Sequence, residues 1–167
     1  MQINQPAPDF ELHDLNGHIH HLSDYRGRIA IVNFWSAKCP HSERTDRALM
    51  VMLDKWAEAV ALLSIAANCC ESAEVVAQVS KARRLPIVLR DAGHAVADLF
   101  DAQTTPHVFV IDREGLLRYR GALDDVTFRQ RTPTRFFLDE VVESLLAGAL
   151  PALTETPAYG CTIVREI

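Results

Sequence analysis

The sequence predicts an α/β fold, a central β-sheet covered by helices on both faces, and three observations carry that reading. Apolar runs of strand length alternate with stretches of helical periodicity, the order that builds a sheet between helix layers. Two runs, at 28–35 and 59–67, are apolar almost without interruption, as strands buried on both faces must be. No repeat, low-complexity run or interdomain linker breaks the order, and 167 residues suffice for one domain with a real core.

Taken in order, "FELHDLNGHIHHL" places two extended runs around Asn16-Gly17, a strong hairpin signal. "RIAIVNFW" (28–35) reads as a buried strand. From Pro40 a helix is expected, with Leu49, Met52, Leu53, Trp56 and Val60 at helical spacing. "AVALLSIAA" (59–67) is the next strand. Ser72 can cap a helix carrying Val75, Val76 and Val79 that stops near Pro86. "IVLRD" is a short strand and "HAVADLF" a short helix. "HVFVIDREGLLRYRG" reads as two strands around a turn at 113–115. Thr132 and Pro133 are expected to open a last helix with Leu138, Val141, Val142 and Leu145, ending near Gly148. The organisation expected is one domain over 1–150 and a tail over 151–167.

Charge and composition exclude several functions. A net charge of −5 provides no sequence-wide basic field for nucleic acid or an anionic membrane. Apolar stretches break within about ten residues, too short to span a bilayer. The opening "MQINQPAPDF" has no basic start followed by an apolar stretch, so no export signal is read and a reducing, cytoplasmic location is expected. His13, His18, His20 and His21 cluster at the first hairpin without a ligand pattern, and are read as an exposed polar face; no metal and no cofactor are expected. "KARR" (81–84) is read as a solvated helix end, and His107 as a structural residue or a neighbour of the thiol.

Chemistry concentrates at Cys39, in "NFWSAKCPHSER". It follows the strand ending at Trp35 and precedes a helix, so it stands at the carboxyl edge of the sheet, where such folds gather function. A thiol reacts as its thiolate, with an ordinary pKa near ~8.5, so a working cysteine needs its anion stabilised. Pro40 at the first helical position leaves Cys39 as N-cap, facing unpaired N–H groups and a partial positive charge. His41 can add a neighbouring cation or donor, and the Ser42 hydroxyl can donate to the sulfur. Ser42 stands where a C-x-x-C pair would carry its second thiol.

This segment resembles the active-site stretch of thioredoxin-like redoxins, whose pattern is roughly N-F-W-A-x-W-C-P-x-C; Asn33, Phe34, Trp35, Cys39 and Pro40 fall on it, while Lys38 and Ser42 depart from it. "TTPHVFVID" resembles the Thr-cis-Pro loop facing the thiol in those proteins. "QPAPDFELHDLNGHIHHLSDYRGR" is similar to the lead-in shared with the alkyl hydroperoxide reductase/thiol-specific antioxidant group. The resemblance implies a thioredoxin-like fold with a mixed sheet, a cis Pro106, and a substrate surface formed by Trp35, Thr105 and Pro106.

Three readings of the chemistry follow. In the first, Cys39 attacks a disulfide on a protein or small molecule, and another thiol resolves the mixed disulfide. In the second, Cys39 reduces a hydroperoxide as an antioxidant peroxidase. Peroxiredoxins carry P-x-x-x-T/S-x-x-C: Ser36 fits the hydroxyl position, but Val32 fills the proline slot. Their arginine would fall about where this chain has Pro106, leaving Arg120 or another residue to approach. In the third, the chain is a thioredoxin-fold binding protein without turnover. The missing partner thiol has two sources within the chain. Cys161, in "TPAYGCTIVREI", resembles the closing Gly-Cys-x-Ile-Lys of some redoxins, with Val164 at the lysine position, and a flexible tail could bring it to Cys39. Cys69 and Cys70, after the second buried strand, are the alternative resolving thiols. An external thiol reductant completes the partners expected.

Overall fold

The computed structural model describes residues 1–166. Its strands are β1 (Glu11–Asp14), β2 (Ile19–His21), β3 (Ile29–Trp35), β4 (Val60–Ala66), β5 (Val88–Arg90), β6 (Thr104–Thr105), β7 (His107–Ile111), β8 (Leu117–Gly121) and β9 (Cys161–Thr162). Its helices are α1 (Pro40–Trp56), α2 (Ala73–Ala82), α3 (Ala95–Leu99) and α4 (Phe137–Leu146). Seven strands form one sheet in the order β2-β1-β5-β4-β3-β7-β8. β3, β4 and β5 run parallel, while β7 and β8 on one side and β1 and β2 on the other are antiparallel, so the sheet is mixed.

Strand alternation sorts the core into two layers. Ala30, Val32 and Phe34 of β3 join Phe10, Phe100 and Phe109 on one face, where α3 packs. Ile29 and Ile31 point the other way, onto Leu49, Met52 and Trp56 of α1 and Leu138, Val141 and Val142 of α4. β3 and β4 are buried at every position, which is why their sequences lack polar alternation.

Most of the expected elements are present, and the differences have local causes. Val60 opens β4 rather than closing α1, because the helix ends at Trp56 with Ala57 at a positive φ of 49°. α4 begins at Phe137, after Thr132 and Pro133. The Asp125 carboxylate accepts from the Thr134 and Arg135 backbone N–H groups at 2.9 and 3.2 Å, holding that stretch as a loop. Arg83 of "KARR" is no solvated helix end: it pairs with the buried Asp46 at 2.9 Å and donates to the Ala37 carbonyl. The segment after Pro151 is docked rather than loose. It bridges Arg120 at Glu155, forms β9 against β6, and buries Ile163 in the core.

Candidate active site

Cys39 is the N-cap of α1 with Pro40 at the first helical position, and the residue is only 3% exposed. The Thr105–Pro106 peptide is cis, and the Cys39 thiol donates to the Thr105 carbonyl at 3.1 Å. Opposite stands Cys161, its sulfur 2.6 Å from the Cys39 sulfur. A disulfide at about 2.0 Å needs only a small closing movement from there. All four cysteines are free thiols.

The contact between these sulfurs is set by pairing of two short strands. Thr105 of β6 is opposite Cys161 of β9, and Thr104 opposite Thr162. On the far side of β9, Val164 receives the Cys69 N–H at 3.0 Å and donates to the Asn68 side chain at 2.9 Å. Gly160 lies so close to Thr105 that a Cβ there would fall 2.2 Å from its carbonyl oxygen. Tyr159 packs edge-on against His41, ring centres 4.9 Å apart.

Burial pushes the Cys39 thiol up, but donors outweigh it and the net shift is downward. These are the Cys161 thiol, the Ser42 and Cys161 backbone N–H groups, and the otherwise unpartnered Thr105 hydroxyl. Cys161 moves the other way, to about 11, through its own burial and then its neighbour Cys39. The pair is therefore differentiated: one sulfur is prepared to be an anion and the other to donate to it.

Several expected roles change. The Ser42 hydroxyl accepts from the Ser36 N–H at 3.2 Å, so its backbone rather than its side chain serves the sulfur. His41 meets Tyr159 instead of the thiol. Trp35 is fully buried, donating to Asp46 at 2.7 Å with the Arg83 guanidinium over its ring, and presents no surface to a substrate. The Ser36 hydroxyl donates to Glu71, not to Cys39. His107 packs on Phe109 and accepts from the Gln103 N–H at 3.2 Å, away from the thiol. Arg120 is held by Glu155 and the Met1 carbonyl. The hairpin histidines bond internally, His20 to Asp14 and Tyr25. No cluster able to hold a metal occurs among the described residues.

Two residues were not anticipated. Glu71, only 5% exposed, accepts from the Ser36 hydroxyl and from the Ala37 and Lys38 N–H groups at 3.2 and 3.0 Å, so it pins the loop delivering Cys39 to α1. Asp46, behind it, ties α1 to Trp35 and Arg83. Glu71 had one available signal: an acidic residue directly before the helix-capping Ser72, on the rim already assigned to Cys69 and Cys70. Asp46 had none, since a charged residue in an amphipathic helix ordinarily faces water.

Around the sulfurs lies a cavity of about 220 Å³, lined in part by Ser36, Lys38, Cys39, Cys70, Glu71 and Cys161. It brings Cys70, which is exposed, to the rim of the same site; Cys69 lies beside it, the two sulfurs 3.1 Å apart.

Comparison with known proteins agrees with this architecture. The thiol-disulfide oxidoreductase ResA of Geobacillus kaustophilus (strain HTA426) is 34% identical over 115 residues, 68% of this chain and 65% of that protein. The chain thus matches just under two thirds of that relative's length. A hypothetical protein from Sinorhizobium meliloti 1021 shares 28% identity and superposes with a TM-score of 0.89, over 99% of this chain and 96% of the other. An uncharacterized conserved protein from Geobacillus kaustophilus shares the fold at 24% identity and a TM-score of 0.90, over 99% and 93% of the two chains. The model of the AhpC/TSA family matches residues 3–120, which take in the lead-in, Cys39 and the Thr105–Pro106 loop but not Cys161. With its fold and most of its length accounted for in this way, the chain belongs to the AhpC/TSA family.

Proposed function

We propose that the protein is a thiol–disulfide oxidoreductase in which Cys39 is the nucleophile and Cys161 the resolving thiol. The observation carrying this reading is the 2.6 Å approach of a stabilised sulfur at a helix N-terminus to a second cysteine anchored by strand pairing. The Cys39 thiolate attacks a substrate disulfide R–S–S–R, forming Cys39–S–S–R and releasing one thiolate. Cys161 then attacks the Cys39 sulfur, giving the Cys39–Cys161 disulfide and the second thiol. Part of what holds the Cys161 pKa up is Cys39 itself; once Cys39 is in a mixed disulfide that contribution falls away, and Cys161 ionises more readily for its own attack. Two external thiols restore the reduced pair. Because β9 fills the free edge of β6, a substrate reaches Cys39 either as a small disulfide in the cavity or as a protein disulfide that displaces the tail.

The disulfide reading is preferred to the peroxidase reading because Arg120, the candidate for polarising a peroxide, is engaged elsewhere, and because the ResA relative is named a thiol-disulfide oxidoreductase. The downward shift of Cys39 speaks against a non-catalytic binding protein.

Two measurements test the reading together. Alkylation of Cys39 by iodoacetamide is expected to have a pH midpoint below that of a free thiol, near ~8.5. One equivalent of a small disulfide is expected to yield Cys39–Cys161 by peptide mapping, whereas Cys161→Ser stops at the Cys39 mixed disulfide. A midpoint at or above the free-thiol value, or undiminished turnover in Cys161→Ser, defeats the assignment.

A further inference from the structure

Cys69 and Cys70 are left unused by the chemistry above, yet their surroundings connect them to both halves of it. The Lys38 ammonium donates to the Cys70 carbonyl at 3.3 Å, tying Cys70 to the residue that precedes Cys39. The Cys69 N–H donates to the Val164 carbonyl, tying Cys69 to the strap that carries Cys161. Cys70 and Cys161 line one cavity. The vicinal sulfurs face each other at 3.1 Å, and Cys70 is exposed where Cys39 is buried. Cys39 is buried, Cys161 and Cys69 are half-buried and Cys70 is exposed, so hydrogen-bonded neighbours lead from solvent toward the reacting sulfur.

Resting on the assignment of Cys39 and Cys161 as a redox pair, we propose that Cys69 and Cys70 are a second dithiol through which reducing equivalents enter the Cys39–Cys161 disulfide. The Cys70 thiolate attacks the Cys161 sulfur; the Cys39–Cys161 bond breaks and Cys39 departs as a thiolate, the better leaving group because its anion is stabilised. The Cys69 thiolate then attacks the Cys70 sulfur, forming a Cys69–Cys70 disulfide and releasing Cys161, which takes up a proton. Two electrons have moved: Cys39 and Cys161 are reduced, and Cys69 and Cys70 oxidised. Two molecules of an external thiol reduce the vicinal disulfide in turn and leave as their own disulfide. A bridge between adjacent residues is strained, and strained, exposed disulfides are the easily reduced ones. Forming that bridge is therefore uphill, so it is a short-lived intermediate, and external thiol in excess draws the electrons inward by reducing it as it forms.

The test starts from full-length protein converted to the Cys39–Cys161 form with one equivalent of a small disulfide. Its reduction by glutathione is followed by alkylation and peptide mapping in wild type, Cys70→Ser and Cys69→Ser. Cys70→Ser, at an exposed position, is expected to reduce at least about tenfold more slowly, because glutathione must then attack the half-buried Cys161 or the buried Cys39 itself rather than an exposed dithiol. Cys69→Ser is expected to build up a Cys70–Cys161 disulfide that alkylation traps, since only return attack by Cys39 or direct attack by glutathione remains to remove it. Equal reduction rates in wild type and Cys70→Ser overturn the relay, as does the absence of any Cys70–Cys161 species in Cys69→Ser. If the Cys39–Cys161 disulfide never forms in the starting material, the redox-pair assignment itself fails, and the relay with it.

Discussion

Glu71 shows how a single side chain can hold a reactive cysteine without touching it. Its two carboxylate oxygens serve three donors from consecutive residues of the loop before Cys39, and almost no water reaches them. Hydrogen bonds to a charged acceptor in such a place are the stronger kind. Glu71→Gln keeps the shape but turns an amide N–H₂ toward N–H donors that need an acceptor. That variant is expected to lose about 1–3 kcal/mol in urea unfolding, the usual cost of stranding a buried donor. An unchanged unfolding midpoint would mean that the loop is held by something else. At this scale the sequence was informative where chemistry is tied to a local pattern: Cys39 before Pro40 reads directly as an N-cap. It was uninformative where a side chain's partner is distant. Ser36, Ser42 and His41 are near enough in sequence to serve the thiol, but Glu71, the Ser36 backbone and Tyr159 claim them instead.

Among the elements, the pairing of β6 with β9 carries most of the site's geometry. Each strand has two residues, too few to show alternation or propensity, and their partners lie 56 residues or so apart along the chain, so the pairing itself gives no periodic signal. Only the resemblance of the Thr-Pro loop and of the Gly-Cys tail points to Cys161 meeting Cys39. The longer elements can be read directly, because β3, β4 and α1 repeat their signal over several residues. Close approach in this pairing depends on Gly160: a Cβ there would meet the Thr105 carbonyl oxygen at 2.2 Å and its carbon at 2.6 Å, both backbone atoms that cannot step aside. Gly160→Ala is therefore expected to lift β9 from β6. Cys161 should alkylate faster, and formation of Cys39–Cys161 should slow at least about tenfold, which is about 1.4 kcal/mol of lost alignment. Gly93→Ala, where a Cβ has open space, is the control and should change neither rate. If Gly160→Ala forms the disulfide as fast as wild type, the strap does not need this contact to deliver Cys161.

For the whole molecule, acid titration pits two buried groups, His107 of β7 and Asp46 of α1, against each other. His107 is held down to about 4, first by burial and then by the Arg120 charge. Asp46 is held up to about 6, because burial outweighs the Trp35 and Arg83 hydrogen bonds. Between pH 4 and about 6.5 the unfolded chain protonates His107 while the folded chain does not, so this histidine makes stability fall as pH falls. Between about 3.8 and 6 the folded chain keeps a proton on Asp46 that the unfolded chain releases, so Asp46 makes stability rise as pH falls. Each full excursion is worth on the order of 3 kcal/mol, with opposite sign. The carboxylates held below their ordinary range, Asp9, Asp14, Asp125, Glu140 and Glu143, act only from about pH 4.5 downward. Urea unfolding of the wild type is therefore expected to vary little between pH 6.5 and 5. His107→Asn, which keeps an acceptor for the Gln103 N–H, removes one arm and should gain stability on acidification through that window. Asp46→Asn, which keeps an acceptor for Trp35, removes the other and should lose stability over the same range. The slopes decide the matter rather than the absolute stabilities, since either substitution also changes packing: parallel slopes in all three proteins would show that neither group titrates where its burial places it.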